Sequence, residues 1–339
     1  MGKVLSFGEL LLRICPDEGG QWLRENSLPF YVGGAEANVA TALALWGIPS
    51  SYLTALPDNF LAEQLVGYLK GKQVQTDSIV YQGDRVGLYY LPKGKDLKNT
   101  GVIYDRAGSA YADLTPGTID WEKAFEGVSW FHFSAICPAI NQAVADVCEE
   151  ALRVAAQKNI TISLDLNYRA KLWKYGKEPV EIMPALAQYC NLIMGNIWAA
   201  NKMLGILLDE DMIAELDRES LQQHAQQTSE AILQKFPKCS TVANTFRFDY
   251  QQGIRYFTTL YTAGSLHTSH EYQVEKILDK VGSGDCFMAG LIYGFHHQLS
   301  PAETVEFATA AAFRKLFIPS DATTSTVAEI NDTVTSYAN

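Results

Sequence analysis

Asp279-Lys280-Val281-Gly282-Ser283-Gly284-Asp285, followed by Cys286-Phe287-Met288-Ala289-Gly290, is the stretch on which the reading of this chain turns. Two glycines bracketing a serine let the backbone turn tightly and present successive N–H groups. The apolar spacing behind them predicts a helix over Asp285–Gln298. The first N–H groups of such a helix have no partner within it, and its N-terminus carries a partial positive charge. Turn and helix together make an anion hole suited to a phosphoryl group in transfer. A carboxylate at the mouth of that hole would repel phosphate unless it takes a proton from the attacking hydroxyl. Asp285 is therefore the candidate catalytic base, with Gly282 and Gly284 as its partners in catalysis and Ser283 completing the phosphate cradle. A glycine turn ahead of an acidic helix start is also an ordinary structural device, so the rest of the chain must decide.

Working outward, strand-like apolar runs alternate with helix-like segments. Lys3–Phe7, Ser51–Ala55, Trp130–Ile136, Thr161–Asn167 and Asn191–Gly195 read as short strands; Glu36–Trp46, Leu61–Lys70, Asn141–Gln157 and Glu178–Gln188 read as helices. This alternation predicts βαβ units and a mostly parallel sheet between helices, with ligands beyond the carboxyl ends of the strands. Leu10–Ile14, Pro29–Val32, Val86–Pro92 and Val102–Arg106 break the pattern. They predict a small antiparallel sheet, a lid, from segments near 10–32 and 86–108, with the polar stretch 93–101 as a hairpin connection. Pro301–Phe317 reads as a further helix with Ser300 at its N-cap. Without repeat or low-complexity linker, residues 1–339 read as one domain.

Composition narrows the function classes. With 339 residues, 47% hydrophobic and 19% charged, the chain has the balance of a soluble globular protein. A net charge of −11 argues against nucleic acid as a partner. Six scattered cysteines without a C-x-x-C pair read as small buried apolar residues. No secretory signal or membrane-length apolar run is present, so no membrane partner and a cytoplasmic location are expected. Asp209-Glu210-Asp211, with Glu215 and Asp217, reads as a solvated face and a helix start. A P-loop is excluded, because Gly71-Lys72 is followed by Gln73, and so is a dinucleotide fingerprint after the first strand.

A second glycine pair, Gly33-Gly34-Ala35-Glu36-Ala37-Asn38-Val39-Ala40, opens a predicted helix near the N-terminus. Together with the Gly-Ser-Gly-Asp stretch it resembles the two signatures of the ribokinase-like (PfkB) carbohydrate kinases. The resemblance implies a three-layer α/β fold with a small β-sheet lid, ATP and Mg²⁺ as cofactors, a small sugar or sugar acid as substrate, and a homodimer paired through the lid. It implies that Gly33, Gly34 and Asn38 contact sugar hydroxyls. Phe7-Gly8-Glu9-Leu10, Gly87-Leu88-Tyr89, Tyr104-Asp105-Arg106, Asp165-Leu166-Asn167-Tyr168-Arg169 and Ile318-Pro319-Ser320-Asp321 resemble the branch acting on 2-keto-3-deoxygluconate. Tyr89, Tyr104, Arg106 and Arg169 are then candidate substrate contacts, and Asn167, Arg169, Gly282, Ser283 and Gly284 candidate nucleotide contacts. A planar guanidinium suits a carboxylate-bearing sugar. Taken alone, each arginine reads as a surface ion pair and each tyrosine as strand packing.

Three departures accompany the likeness. Asn196-Ile197-Trp198-Ala199 lacks the glutamate of an N-x-x-E segment that helps organise magnesium. Lys280 replaces a threonine, which leaves a monovalent-cation site open. Asn244-Thr245-Phe246-Arg247 replaces a T-L-G turn near the nucleotide. Fructose, ribose or a nucleoside as substrate, and a non-catalytic sugar-binding relative, are the alternatives.

Overall fold

The computed structural model describes residues 2–16, 26–92, 101–208, 217–250 and 253–338. All but Gly101 of the hairpin connection 93–101 and most of the acidic cluster (Asp209, Glu210, Asp211 and Glu215) lie outside the described residues. Within them, β1 (Lys3–Phe7), β4 (Ser50–Leu53), β9 (Val128–Ser134), β10 (Thr161–Asp165), β11 (Leu192–Gly195) and β12 (Thr241–Tyr250) pair in the order β4-β1-β9-β10-β11-β12, every pair parallel. Their carboxyl ends therefore share one edge. Antiparallel strands β13 (Gly253–Thr262), β14 (Ser265–Thr268) and β15 (Tyr272–Val274) extend the sheet beyond β12. This extension was not legible as strands: Thr, Arg and Asp interrupt the apolar run in β12, whose far end is exposed.

Side chains alternate between the two faces along each strand, and helices bury both. Ile193 joins Phe7, Phe131 and Phe133 on one face, under helices α4 (Gln142–Gln157), α5 (Pro179–Ala187) and α6 (Ile197–Leu204). Its neighbours Leu192 and Met194 join Val4 and Trp130 on the other face. There they lie under α1 (Ala35–Leu45), α8 (Ser283–His296) and α9 (Pro301–Lys315). Phe287, Met288, Leu291 and Ile292 of α8 are fully buried; at about 1.5–3 kcal/mol for each such side chain, they hold the helix firmly in place. α8 starts two residues earlier than its apolar pattern predicts, with Gly282 at the N-cap, which sets Asp285 in the first turn. Ser300 caps α9 with a reciprocal Glu303 contact, as its sequence predicts. Asp217 caps α7 (Arg218–Lys235), accepting from Ser220 N.

A four-stranded sheet lies apart from the main one, in the order β3 (Phe30–Gly33), β2 (Leu11–Ile14), β7 (Gly87–Tyr90), β8 (Ile103–Asp105). Its outer pairs are antiparallel, as expected, and its central pair, β2 with β7, is parallel. The chain leaves β3 into α1 and returns from the far side only after β4, β5 (Ala55–Leu56), α2 (Phe60–Gly71) and β6 (Val80–Tyr81), which sets that direction. All six cysteines are buried and unbridged. Among the described residues, no helix is long and apolar enough to cross a membrane.

Candidate active site

The first turn of α8 forms one wall of a cavity of about 570 Å³. Gly282 adopts φ 80°, and a Cβ there would overlap the Asp321 carbonyl oxygen, so both conformation and space require glycine. Gly284 differs: a Cβ there would meet only Met194 Cε, at 4.0 Å, and would project into the cavity. The backbone is thus left bare where an anion would approach. Asp285, in the same turn, accepts from Asn38 Nδ2 at 2.7 Å through Oδ2. Burial pushes its carboxyl up to about 8; the Asn38 hydrogen bond opposes the rise, Asp165 and Glu36 add to it, and Arg169 opposes it.

The N-terminus of α1 faces that of α8. Gly34 has φ 136°, and a Cβ on it would stand 2.5 Å from Glu9 O. Gly33 stands behind the wall, where a Cβ would meet Asp321 Oδ2 at 2.8 Å. Glu36, which the sequence reading passed over, is buried in the wall with Asp285. It accepts from Ser134 N at 3.0 Å, and burial raises its carboxyl above the usual range. Gly8 leaves the room that the Glu36 carboxylate occupies.

The small sheet closes the opposite side. Arg106 is buried rather than on the surface, and its Nε donates to Glu9 Oε2 while Ser109 Oγ donates to Oε1 at 2.5 Å. Tyr104 lies beside Arg169, whose charge opposes the rise that burial causes in the tyrosine hydroxyl. Tyr89 lines the cavity, but its hydroxyl is committed to Asp321 Oδ2 at 2.7 Å. Asp321 in turn joins a buried cluster in which Arg13 Nη2 meets Asp279 Oδ2 at 2.6 Å and Asp321 Oδ1 at 2.8 Å. Arg13 comes from the small sheet and Asp279 from the loop before α8, so the cluster joins the two. The signal for it was an arginine inside the apolar run Leu11-Leu12-Arg13-Ile14.

At the strand ends, Asn167 has φ 24°, a strained value for a non-glycine, and its N–H donates to Asp165 Oδ1 at 3.0 Å. Asn167, Arg169, Gly34, Asn38, Tyr89, Tyr104, Arg106, Gly282, Ser283, Gly284 and Asp285 thus all line one cavity. Asn196 is also in the wall, but its side chain caps α6 by accepting from Ala199 N at 2.8 Å, and Ala199 brings no carboxylate.

Residues 1–316 match the pfkB family carbohydrate kinase model. The chain is similar to the 2-dehydro-3-deoxygluconokinase of Thermotoga maritima, whose crystal structure superposes with a TM-score of 0.89 at 34% identity, covering 99% of this chain and 100% of that one. It is 33% identical to the 2-dehydro-3-deoxygalactonokinase of Haloferax volcanii over 50% of this chain and 54% of the relative's length. It is 23% identical to the 2-dehydro-3-deoxygluconokinase of Bacillus subtilis over 94% of this chain and 90% of the relative. By a match that runs through both glycine-pair signatures and nearly the whole chain, this protein belongs to the PfkB family of carbohydrate kinases.

Proposed function

We propose that this kinase transfers the terminal phosphate of ATP to a hydroxyl of a 2-keto-3-deoxy sugar acid, with 2-dehydro-3-deoxygluconate as the first candidate. The observation that carries this reading is the meeting of Asp285 with the bare first turn of α8, in a cavity that Arg106 and Arg169 also line. The sugar would lie under the small sheet, acting as the lid of a single kinase domain, with Gly34 and Asn38 beside its hydroxyls. Asp285 would accept the proton of the attacking hydroxyl, and a carboxyl poised near neutrality suits that task. The N–H groups of the Gly282–Gly284 turn would stabilise charge on the phosphoryl oxygens. Arg169 and Arg106 would face the sugar carboxylate, Arg106 held in place by Glu9.

When bound, ATP–Mg²⁺ would supply the phosphoryl group and a divalent charge to offset that of the phosphates. The cavity fits this: Gly284 leaves a cradle that a Cβ would fill, and Asp165 is a wall carboxylate close enough to Asp285 to raise its pKa. Asp165 would face the metal, with Asn167 on the nucleotide side and Arg169 where the sugar acid and the phosphates would meet. The same reading places two copies edge to edge through the small sheet, whose outer strands expose Phe30 (60%) and Ile103 (57%). A cytoplasmic site follows from the use of ATP.

A second reading, a neutral sugar such as fructose, draws on the Glu9–Arg106 pair, which already neutralises one of the two guanidinium groups. ADP release over 2-dehydro-3-deoxygluconate, its galactonate counterpart, gluconate, fructose, ribose and adenosine separates the two, with Asp285→Asn as control. Aspartate-dependent turnover of a keto-deoxy acid supports the proposal. Turnover of a neutral sugar alone discards it.

A further inference from the structure

The sequence leaves a monovalent-cation site open at Lys280, and the structure commits that lysine elsewhere: its ammonium meets Asp249 of β12 at 2.6 Å. A different lysine stands behind the glycine turn. Lys315 is the last residue of α9 and is fully buried. Its Cε lies 3.2 Å from the point where a Cβ on Gly282 would stand. Its Nζ donates to Ile318 O at 3.1 Å, in the segment that follows the helix. Leu278 N and Asp279 N both donate to Leu316 O, at 2.8 and 3.1 Å, which ties that segment to the chain entering α8. Asp279 also shapes the turn, since its Oδ1 accepts from Val281 N at 3.1 Å. Burial lowers the Lys315 pKa, Asp279 and Asp321 oppose the fall, and Arg13 adds to it. A main-chain carbonyl, two carboxylates and the negative end of a helix are surroundings in which an alkali-metal ion binds. Here the chain supplies the positive charge itself. Arg13 and Lys315 balance Asp279 and Asp321, so no net negative charge is left to hold a free ion, and the lysine stem fills the space.

We propose that Lys315 is a built-in monovalent cation, a positioning residue whose ammonium takes the place of an alkali-metal ion behind the α8 turn and makes this kinase independent of potassium and sodium. Lys315 lies outside the cavity wall and acts through the turn, whose shape it holds from behind. Its effect on turnover rests on the reading of that turn as the phosphoryl site.

Wild type, Lys315→Ala and Lys315→Met are compared in potassium, sodium, ammonium and tetramethylammonium chloride at one ionic strength, by thermal melting and by ATP-dependent sugar turnover. The wild type should melt and turn over alike in all four salts. Lys315→Ala leaves the two carboxylates one charge short and opens space for an ion. In tetramethylammonium, too large to enter, it should melt lower and lose turnover by up to about 100-fold, as a displaced site does. Potassium or ammonium should restore both. Lys315→Met keeps a stem in the space, so it should lose turnover and gain nothing from any salt. A wild type that melts higher or turns over faster in potassium than in tetramethylammonium would overturn the inference. So would a methionine variant of full activity, or an alanine variant that potassium and ammonium restore no better than tetramethylammonium does. Melting needs no substrate, so a wild type that phosphorylates no sugar would reject the sugar-kinase proposal alone, with the melting comparison deciding the inference.

Discussion

Asn38 Nδ2 donates to Asp285 Oδ2 at 2.7 Å, although 247 positions separate the two residues. Each sits in the first turn of its helix, so the bond joins the N-terminus of α1 to that of α8. It favours the ionised carboxylate while burial favours the neutral acid. Replacing Asn38 with Ala is therefore expected to raise the Asp285 pKa further. The acidic limb of kcat/KM against pH, near 8 in the free enzyme, should move to higher pH, and an unmoved limb would assign it to another group.

Asp285→Asn should lower kcat by about 10²- to 10⁴-fold, the usual contribution of a positioned base. The same change has a stability signature. The folded-state value, about 8, lies above the ordinary 3.8, so the native protein binds this proton more tightly than the unfolded chain does. The stabilisation is complete below about 3.8 and is lost as pH rises through about 8. The asparagine variant should thus melt above the wild type at pH 9 and alongside it at pH 4. Parallel melting curves across that range would show that Asp285 is not held neutral by burial.

The two glycines flanking Ser283 should fail differently. Gly282→Ala puts a Cβ onto the Asp321 carbonyl at a positive φ, where the backbone cost alone is about 1–2 kcal/mol; folding stability and activity should fall together. Gly284→Ala meets no protein atom closer than 4.0 Å and should gain about 0.5–1 kcal/mol as a helical residue. Its Cβ would occupy the proposed phosphate cradle, so ATP affinity should fall while urea stability holds or rises.

Arg106 and Arg169 should also separate. Arg106→Ala leaves Glu9 buried without its partner, a change expected to cost about 3–5 kcal/mol, readable by urea denaturation; Glu9→Gln with Arg106→Met should recover much of that. Arg169 is only half-buried. Arg169→Ala should leave the fold intact and raise the KM for a sugar acid about 10- to 100-fold, with a smaller effect on a neutral sugar. Equal losses on both sugars would remove the carboxylate from its role.

Part of the site was legible because it is local. The glycine turn and the helix behind it are contiguous, so the order of residues alone places a carboxylate beside unpaired amides. The alternation of apolar runs likewise announced the parallel strands and their covering helices. Glu9, Arg13, Glu36 and Asp321 were not legible as members of the wall and its supporting cluster. Each is a charged residue whose burial is tolerable only against a partner distant in the chain: Arg106 for Glu9, Asp279 and Asp321 for Arg13, the Ser134 amide for Glu36. Strands β12 to β15 were missed for a related reason. They are held by pairing, β12 with β11 in parallel and the antiparallel ladder beyond it, which no single segment displays.

What the sequence determined by itself is the short-range chemistry: helix starts, glycine conformations, and a carboxylate set next to an anion hole. Those features depend on dihedral preferences and on hydrogen bonds within a few residues. What only the tertiary structure decided is the charge state and partnership of the groups that meet there. Asp285 is raised by burial, Arg106 is neutralised by Glu9, and Arg247 is brought to Ser283. Desolvation and Coulomb interaction act through space, and the distances that set them exist only once the chain has folded.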